Sequence, residues 1–147
     1  MAAEISYAQT EEQLQQALDI RHDVFVVEQQ VPAEIEIDDY DVISADVHHA
    51  LLHVDGQPVG TGRLVYYADD TAKMQRIAVL KSYRSFGYGR VLLLAMEERA
   101  RELGLAYSVL DAQCQAQAFY EKLGYEVISA EPFYDAGILH VRMRKSL

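Results

Sequence analysis

The chain is poor in the features that would place it outside or across a membrane. It has a single cysteine, Cys114, which cannot close an internal disulfide and fits a reducing compartment. No apolar run approaches the roughly 18 residues needed to span a bilayer. The first residues, Met1-Ala2-Ala3-Glu4, lack the basic region and apolar stretch of a secretory signal. We therefore expect a cytoplasmic protein with no membrane partner. There is no internal repeat, low-complexity tract or Pro/Gly/Ser linker, so residues 1–147 read as one domain. Positive charge is also scarce. The net charge is −10, which argues against nucleic acid as a partner, because a phosphate backbone is bound by surplus Lys and Arg. No Lys or Arg occurs between Arg21 and Arg63, a stretch that carries Glu28, Glu34, Glu36, Asp38, Asp39, Asp41 and Asp46.

Half of the 147 residues are hydrophobic, enough for a core. Ile5 to Ala8 reads as a short strand. Thr10 with Gln13 is a capping-box signature, and Leu14, Ala17, Leu18, Val24 and Phe25 follow at helical spacing. Pro32 and the acidic residues to Asp46 read as a loop, with room for a short helical turn. His49 to Val54 and Pro58 to Tyr67 read as strands joined by an Asp55-Gly56 hairpin turn. After a turn at Asp69-Asp70, Lys73 to Leu80 is a third strand. A helix with Leu92, Met96, Ala100 and Leu103 on one face ends at Gly104. Ala106 to Leu110 is a buried strand, Ala116 to Leu123 a short helix, and Tyr125 to Ser129 and Ile138 to Met143 are the last strands. The order β-α-β-β-β-α-β-α-β-β predicts a mixed α/β sandwich, with a meander in its first half and a β-loop-α-β unit in its second.

The most informative segment runs from Gln75 to Leu94. From Lys73 to Arg90 the charge is the reverse of the acidic stretch: Lys73, Arg76, Lys81, Arg84 and Arg90 occur with no acid among them. A strand enters a loop with two glycines, and the loop opens a helix. The first amides of a helix have no internal partners and sit at the positive end of its dipole, so they form an anion site. Gly87 and Gly89 let a phosphate approach the backbone. A tight turn before a helix would have the same spacing, but the flanking elements and the basic cluster favour a phosphate site. Two other phosphate loops fail. Arg90 stands where a P-loop needs Lys and then Ser or Thr, and Leu92 takes the place of the third glycine of the dinucleotide fingerprint.

Arg84-x-x-Gly87-x-Gly89 after Ile77-Ala78-Val79 resembles the coenzyme A motif of the GCN5-related N-acetyltransferases, Q/R-x-x-G-x-G/A. Ala116-Gln117-Ala118-Phe119-Tyr120-Glu121-Lys122-Leu123-Gly124-Tyr125 is similar to that family's A-x-x-F-Y-x-K-x-G-F segment. Arg21-x-x-Val24-Phe25-Val26-x-Glu28-Gln29, with Pro32, Glu36 and Asp39, and the final Asp135-Ala136-Gly137-Ile138-x-His140-x-x-Met143, resemble a small bacterial subgroup. The resemblance implies a mostly antiparallel sheet of six to seven strands, about four helices, and a splay at the centre between the strands at Ile77 and Ala106. It implies acetyl-CoA as co-substrate and a small-molecule or peptide amine as acceptor. Ile77, Ala78 and Val79 would run along the pantetheine arm. Amides from Ser85 through Phe86, Gly87, Tyr88 and Gly89 to Arg90 would hold the pyrophosphate, with Arg84 beside them. Gln113 takes the place of a pantetheine-binding Asn, and Phe119 lies beside the cofactor. Tyr120 would protonate the departing thiolate.

The general base is open among Glu28, Asp111, His140 and water, with Glu28 placed first. Cys114 reads as a small buried hydrophobe rather than a nucleophile. His49 and His53 share a strand face but lie about 13 Å apart at strand rise, which excludes one shared ion, and we expect no metal. The acidic stretch is either a solvated loop or the border of a site for a cationic amine such as a polyamine, an aminoglycoside or a lysine. An open strand edge near Ile138 would suit a homodimer. A non-catalytic coenzyme A-binding module, and a transferase with a longer acyl donor, are the competing readings.

Overall fold

The computed structural model describes residues 2–147. Its eight strands form one sheet in the order β1-β2-β3-β4-β5-β8-β6, with β7 also paired to β8. The strands are β1 (Ala3–Tyr7), β2 (Val47–Val54), β3 (Gln57–Ala68), β4 (Thr71–Val79), β5 (Tyr107–Gln113), β6 (Glu126–Val127), β7 (Phe133–Asp135) and β8 (Ile138–Ser146). The helices are α1 (Glu11–Arg21), α2 (Ala33–Glu36), α3 (Tyr88–Glu102) and α4 (Gln117–Lys122). This is the expected architecture with one more strand. β7 is only three residues long, too short to show an alternating pattern. It pairs Asp135 with Ile138, so the edge expected to be open there is occupied.

Local chemistry starts α1. The Thr10 hydroxyl accepts from the Gln13 amide at 3.2 Å, and Gln13 Oε1 accepts from the Gln9 amide at 2.7 Å. Beyond Arg21 the helix widens into π-type turns from His22 to Glu28. Ala17, Ile20 and Val24 of this continuous element pack on Leu51 and Ala78. On the opposite face of the sheet, α3 buries Leu92, Leu93, Met96 and Ala100 completely. The helix lies so close that a Cβ on Gly62 of β3 would sit 2.5 Å from Met96 Sδ. Glycine at that position is what lets α3 seat on the meander.

The meander is antiparallel from β1 to β4. The Asp55-Gly56 turn has positive φ at both residues, 49° and 82°, the geometry of a type I′ hairpin. β4 and β5 run parallel, and they pair only from Thr71 to Met74 against Tyr107 to Leu110. From Gln75 onward they part. At that point β4 carries a bulge, where the register against β3 shifts between Thr61 and Arg63 and Arg76 adopts φ 55°. Left-handed backbone at a non-glycine residue costs about 1–2 kcal/mol, so tertiary contacts must hold Arg76 there.

Those contacts come from the acidic segment. Arg21 is buried; its guanidinium donates to both Glu36 carboxylate oxygens at 3.1 and 3.2 Å and to Asp41 at 2.6 and 3.0 Å. Buried Arg63 donates to Asp38 at 2.7 and 2.9 Å, to Asp41 at 3.0 Å, and to Gln75 Oε1 at 2.7 Å. Arg76 reaches the Glu36 carboxylate at 2.9 Å and its carbonyl at 3.1 Å. Within the stretch expected to be solvated or to border a site for a cationic amine, Glu36, Asp38 and Asp41 turn to three arginines from α1, β3 and β4, while Glu34, Asp39 and Asp46 are exposed. The reason is charge balance: Glu36, Asp38 and Asp41 each find a buried guanidinium partner.

Candidate active site

The parting of β4 and β5 opens a cavity of about 420 Å³. On one lip Gln75 to Val79 have no strand partner on their β5 side, so that edge keeps free backbone donors and acceptors. Ile77, Ala78 and Val79 line the cavity there. On the other lip stand Leu110, Asp111 and Gln113 of β5, with His140 of β8 beside them; His140 is the register partner of Gln113. Tyr120 of α4 closes the same wall. The roof is the extension of α1, through Phe25, Gln29 and Val31.

Below Val79 the chain makes a short 3₁₀ turn, Lys81–Tyr83, and enters the glycine loop. Ser85 and Gly87 have φ of 70° and 81°. Gly87 is the N-cap of α3 and has no side chain to spend on the first amides. Those amides are left for a ligand. Of the expected loop residues, Ser85, Phe86 and Arg90 are exposed, whereas the Tyr88 ring is buried in the core, so Tyr88 can offer only its backbone. A Cβ on Gly89 would lie 3.7 Å from Phe119 Cζ, which brings the two sequence motifs into contact.

The charged partners around the loop are asymmetric. Arg84 does not extend freely: its Nε donates to the Val79 carbonyl at 2.9 Å, and its two Nη atoms donate to Glu28 at 2.9 and 2.7 Å. Lys81 and Arg90 are exposed and form no ion pair among the described residues. The hydrogen bonds from Arg84 hold the Glu28 carboxyl below the usual range. Glu28 lies outside the cavity wall, at the surface beside Lys81. Gln113 is also engaged, its Nε2 donating to Gln29 Oε1 at 2.9 Å.

Tyr120 is held edge-on between Phe119, at 5.1 Å between ring centroids, and Tyr125, at 6.0 Å. Its hydroxyl has no protein partner among the described residues, and burial pushes it up to about 12. The phenol is therefore protonated at neutral pH and able to donate. Tyr125 behind it is fixed: its hydroxyl donates to Glu97 Oε2 at 2.8 Å, Ser108 lies 2.7 Å away, and Lys145 donates to Glu97 Oε1 at 2.8 Å. Cys114 is half-buried and packs against the core.

Sequence reasoning missed Phe25, Gln29, Val31 and Glu36 as cavity residues. Their only signal was the resemblance of the N-terminal half to the bacterial subgroup; nothing in their local pattern says that the end of α1 roofs a cleft formed some 50 residues later.

The site is a splayed strand edge leading towards a helix N-terminus, with a lone phenol in the same cavity wall. Comparison with known proteins makes the assignment specific. The acetyltransferase (GNAT) domain model matches residues 7–147. The uncharacterized N-acetyltransferase YjcF of Bacillus subtilis is 44% identical over 138 residues, covering 94% of this chain and 96% of that protein. The structure of an acyl-CoA N-acyltransferase from Pseudomonas aeruginosa superposes with a TM-score of 0.84 at 28% identity and covers 99% of both chains. Escherichia coli ElaA superposes at 0.86 with 26% identity, covering 98% and 99%. The chain belongs to the GNAT acetyltransferase family and is a transferase enzyme. No helix among the described residues is long and apolar enough to cross a membrane.

Proposed function

We propose that the enzyme transfers an acetyl group from acetyl-coenzyme A to a primary amine by direct attack. The observation that carries this reading is the continuity of the site: the unpaired edge of Gln75 to Val79 runs straight into the uncapped N-terminus of α3, with Tyr120 across the gap. An extended thioester with a diphosphate at one end matches that shape. The pantetheine pairs with the backbone of Ile77 and Val79, with Gln113 opposite. The pyrophosphate takes the amides between Ser85 and Arg90. Lys81 and Arg90 supply unpaired positive charge, and Phe119 packs beside Gly89.

Backbone donors on the β4 edge face the thioester carbonyl, where negative charge develops as the amine adds. The C–S bond then breaks, and Tyr120 gives its proton to the sulfur. Glu28 takes a different task from the proton acceptor expected of it. Its bidentate pair with Arg84 keeps it ionised and fixes the arginine at the mouth of the phosphate loop. We place the enzyme in the cytoplasm, where a lone thiol such as Cys114 stays reduced.

Titration calorimetry with coenzyme A, followed by thiol release from acetyl-CoA in the presence of spermidine, Nα-acetyl-lysine or kanamycin, tests the reading. Tyr120→Phe should lower kcat by about 100-fold and leave coenzyme A affinity within about twofold, as expected of a proton donor. Unchanged turnover in that variant would remove Tyr120 from the mechanism. Absence of any heat with coenzyme A would remove the donor.

A further inference from the structure

We infer that His140 is a catalytic residue, and that its Nε2 takes the proton the attacking amine must lose; this rests on the transfer reaction above. Three observations converge on the ring. His140 is 8% exposed and lines the cavity at the β5–β8 lip, opposite Ala78 and beside Gln113. Its Nδ1 lies 2.7 Å from the Ile138 carbonyl. A carbonyl can only accept, so Nδ1 carries the hydrogen, and in the neutral ring the lone pair is on Nε2. Nε2 has no hydrogen-bond partner among the described residues, yet it is not one of the sealed, unpartnered polar atoms of the interior, and the residue that carries it lines the cavity. The ring is also oriented, stacked on Phe133 with centroids 6.1 Å apart and planes 21° from parallel. A neutral imidazole with one nitrogen tied to the backbone and the other facing a reaction cavity is a general base in its accepting tautomer.

Of the carboxylates near the ring, Asp111 and Glu28 are held by arginines, and Asp135 is exposed at the cavity rim. Asp111, two residues before Gln113 on the same strand, accepts from Arg142 at 2.8 and 3.2 Å and lies 3.2 Å from Lys73. Burial raises its pKa, but the bonds from Arg142 and the charge of Lys73 outweigh that and leave it below the usual range. Glu28 is held by Arg84 outside the cavity wall. The charged groups lining the same cavity are Glu36, Lys73, Arg76, Arg84, Asp111 and Asp135, with the neutral Tyr120; β8 itself carries Arg142, which lies over the Phe133 ring. Arg76 is matched by Glu36, and Arg142 and Lys73 share Asp111. Asp135 has no ion-pair partner among the described residues. The ring thus has largely compensated charge around it.

The step balances as follows. The nitrogen lone pair forms the N–C bond to the thioester carbon, Nε2 receives the proton leaving the nitrogen, and the C–S bond breaks with its electron pair going to sulfur. The thiolate receives the Tyr120 proton. The imidazolium returns its proton to water, and the phenolate takes one back.

The test uses the full chain with acetyl-CoA and the amine of the panel that supports turnover. His140→Gln should lower kcat by about 100-fold or more with little change in coenzyme A affinity by calorimetry. The kcat–pH profile of the wild type should have an acidic limb that His140→Gln lacks. In ¹⁵N-labelled wild-type protein, the His140 ring should show hydrogen on Nδ1, a readout that requires neither turnover nor a foldable variant. Retained turnover with an unchanged acidic limb in His140→Gln would overturn the base while leaving the transfer reaction standing. Hydrogen on Nε2 in the neutral ring would overturn it as well. Wild-type protein that neither binds coenzyme A nor releases thiol would overturn the transfer reaction and the base together.

Discussion

Two charged segments flank the same cleft, and they treat their charge in opposite ways. The acidic segment around Glu36 to Asp41 spends its carboxylates inside the protein, on Arg21, Arg63 and Arg76. The basic loop from Lys81 to Arg90 spends only Arg84, on exposed Glu28, and leaves Lys81 and Arg90 in solvent. The first segment is architecture: it pins the bulge at Arg76 that bends β4 away from β5. The second leaves its charge and the first amides of α3 without side-chain partners. A run of like charge in a sequence therefore says little about function until its partners are known.

The largest effect that could break this contrast is in the buried network. Arg21 has a side-chain exposure of 1%, and Arg21→Leu leaves Glu36 and Asp41 buried and short of a partner. Breaking a buried pair from one side costs about 3–5 kcal/mol, so Tm should fall by roughly 10 °C for a chain of this size. A fall of only a few degrees in calorimetry would mean that the carboxylates are not enclosed as described.

Acid should act on the same network with a smaller effect. Burial raises the Asp41 pKa, but hydrogen bonds from Arg21 and the Asp38 amide, with the nearby guanidinium charges, bring it down to about 2. Its folded value lies below its unfolded value, so its contribution is fully present above the unfolded carboxylate range and is lost as pH falls toward 2. That contribution is about 2 kcal/mol. Denaturant unfolding between pH 6 and pH 2.5 should show stability declining across the acid end, and Asp41→Asn, already destabilised, should show a flatter profile. Parallel profiles for the two proteins would remove Asp41 from the acid response.

The smallest change sharpens the other side. Arg90→Ala should weaken coenzyme A binding by about fivefold, worth roughly 1 kcal/mol for an exposed charged contact, and less at high salt. Its Tm should stay within about 2 °C, since Arg90 touches no carboxylate in the fold. A large stability loss would show that the basic loop, too, is structural.

Much of the glycine loop and its surroundings was legible because the signals are local. Gly87 and Gly89 at the start of a helix, the basic residues around them, and Phe119-Tyr120 before Gly124 each form a contiguous pattern whose geometry follows from short-range backbone rules. The elements of the meander were legible for the same reason: alternation, the Asp55-Gly56 turn, and β-branched residues in runs. The far wall of the cavity was harder. Glu36, Arg76, Asp111 and His140 line it together from positions tens of residues apart, and each alone has an ordinary explanation. β7 was too short to signal itself. Arg76 carries its left-handed backbone without a glycine to announce it.

The amino-acid sequence by itself determined the order of the elements, the glycine loop at the start of α3 and the tyrosine opposite it, because periodicity, turn chemistry and helix capping act between near neighbours. Tertiary structure alone decided which charges are free and which are spent. A carboxylate or imidazole acquires its role from partners that only folding brings within hydrogen-bond distance, as Arg84 reaches Glu28, Arg142 reaches Asp111 and the Ile138 carbonyl orients His140.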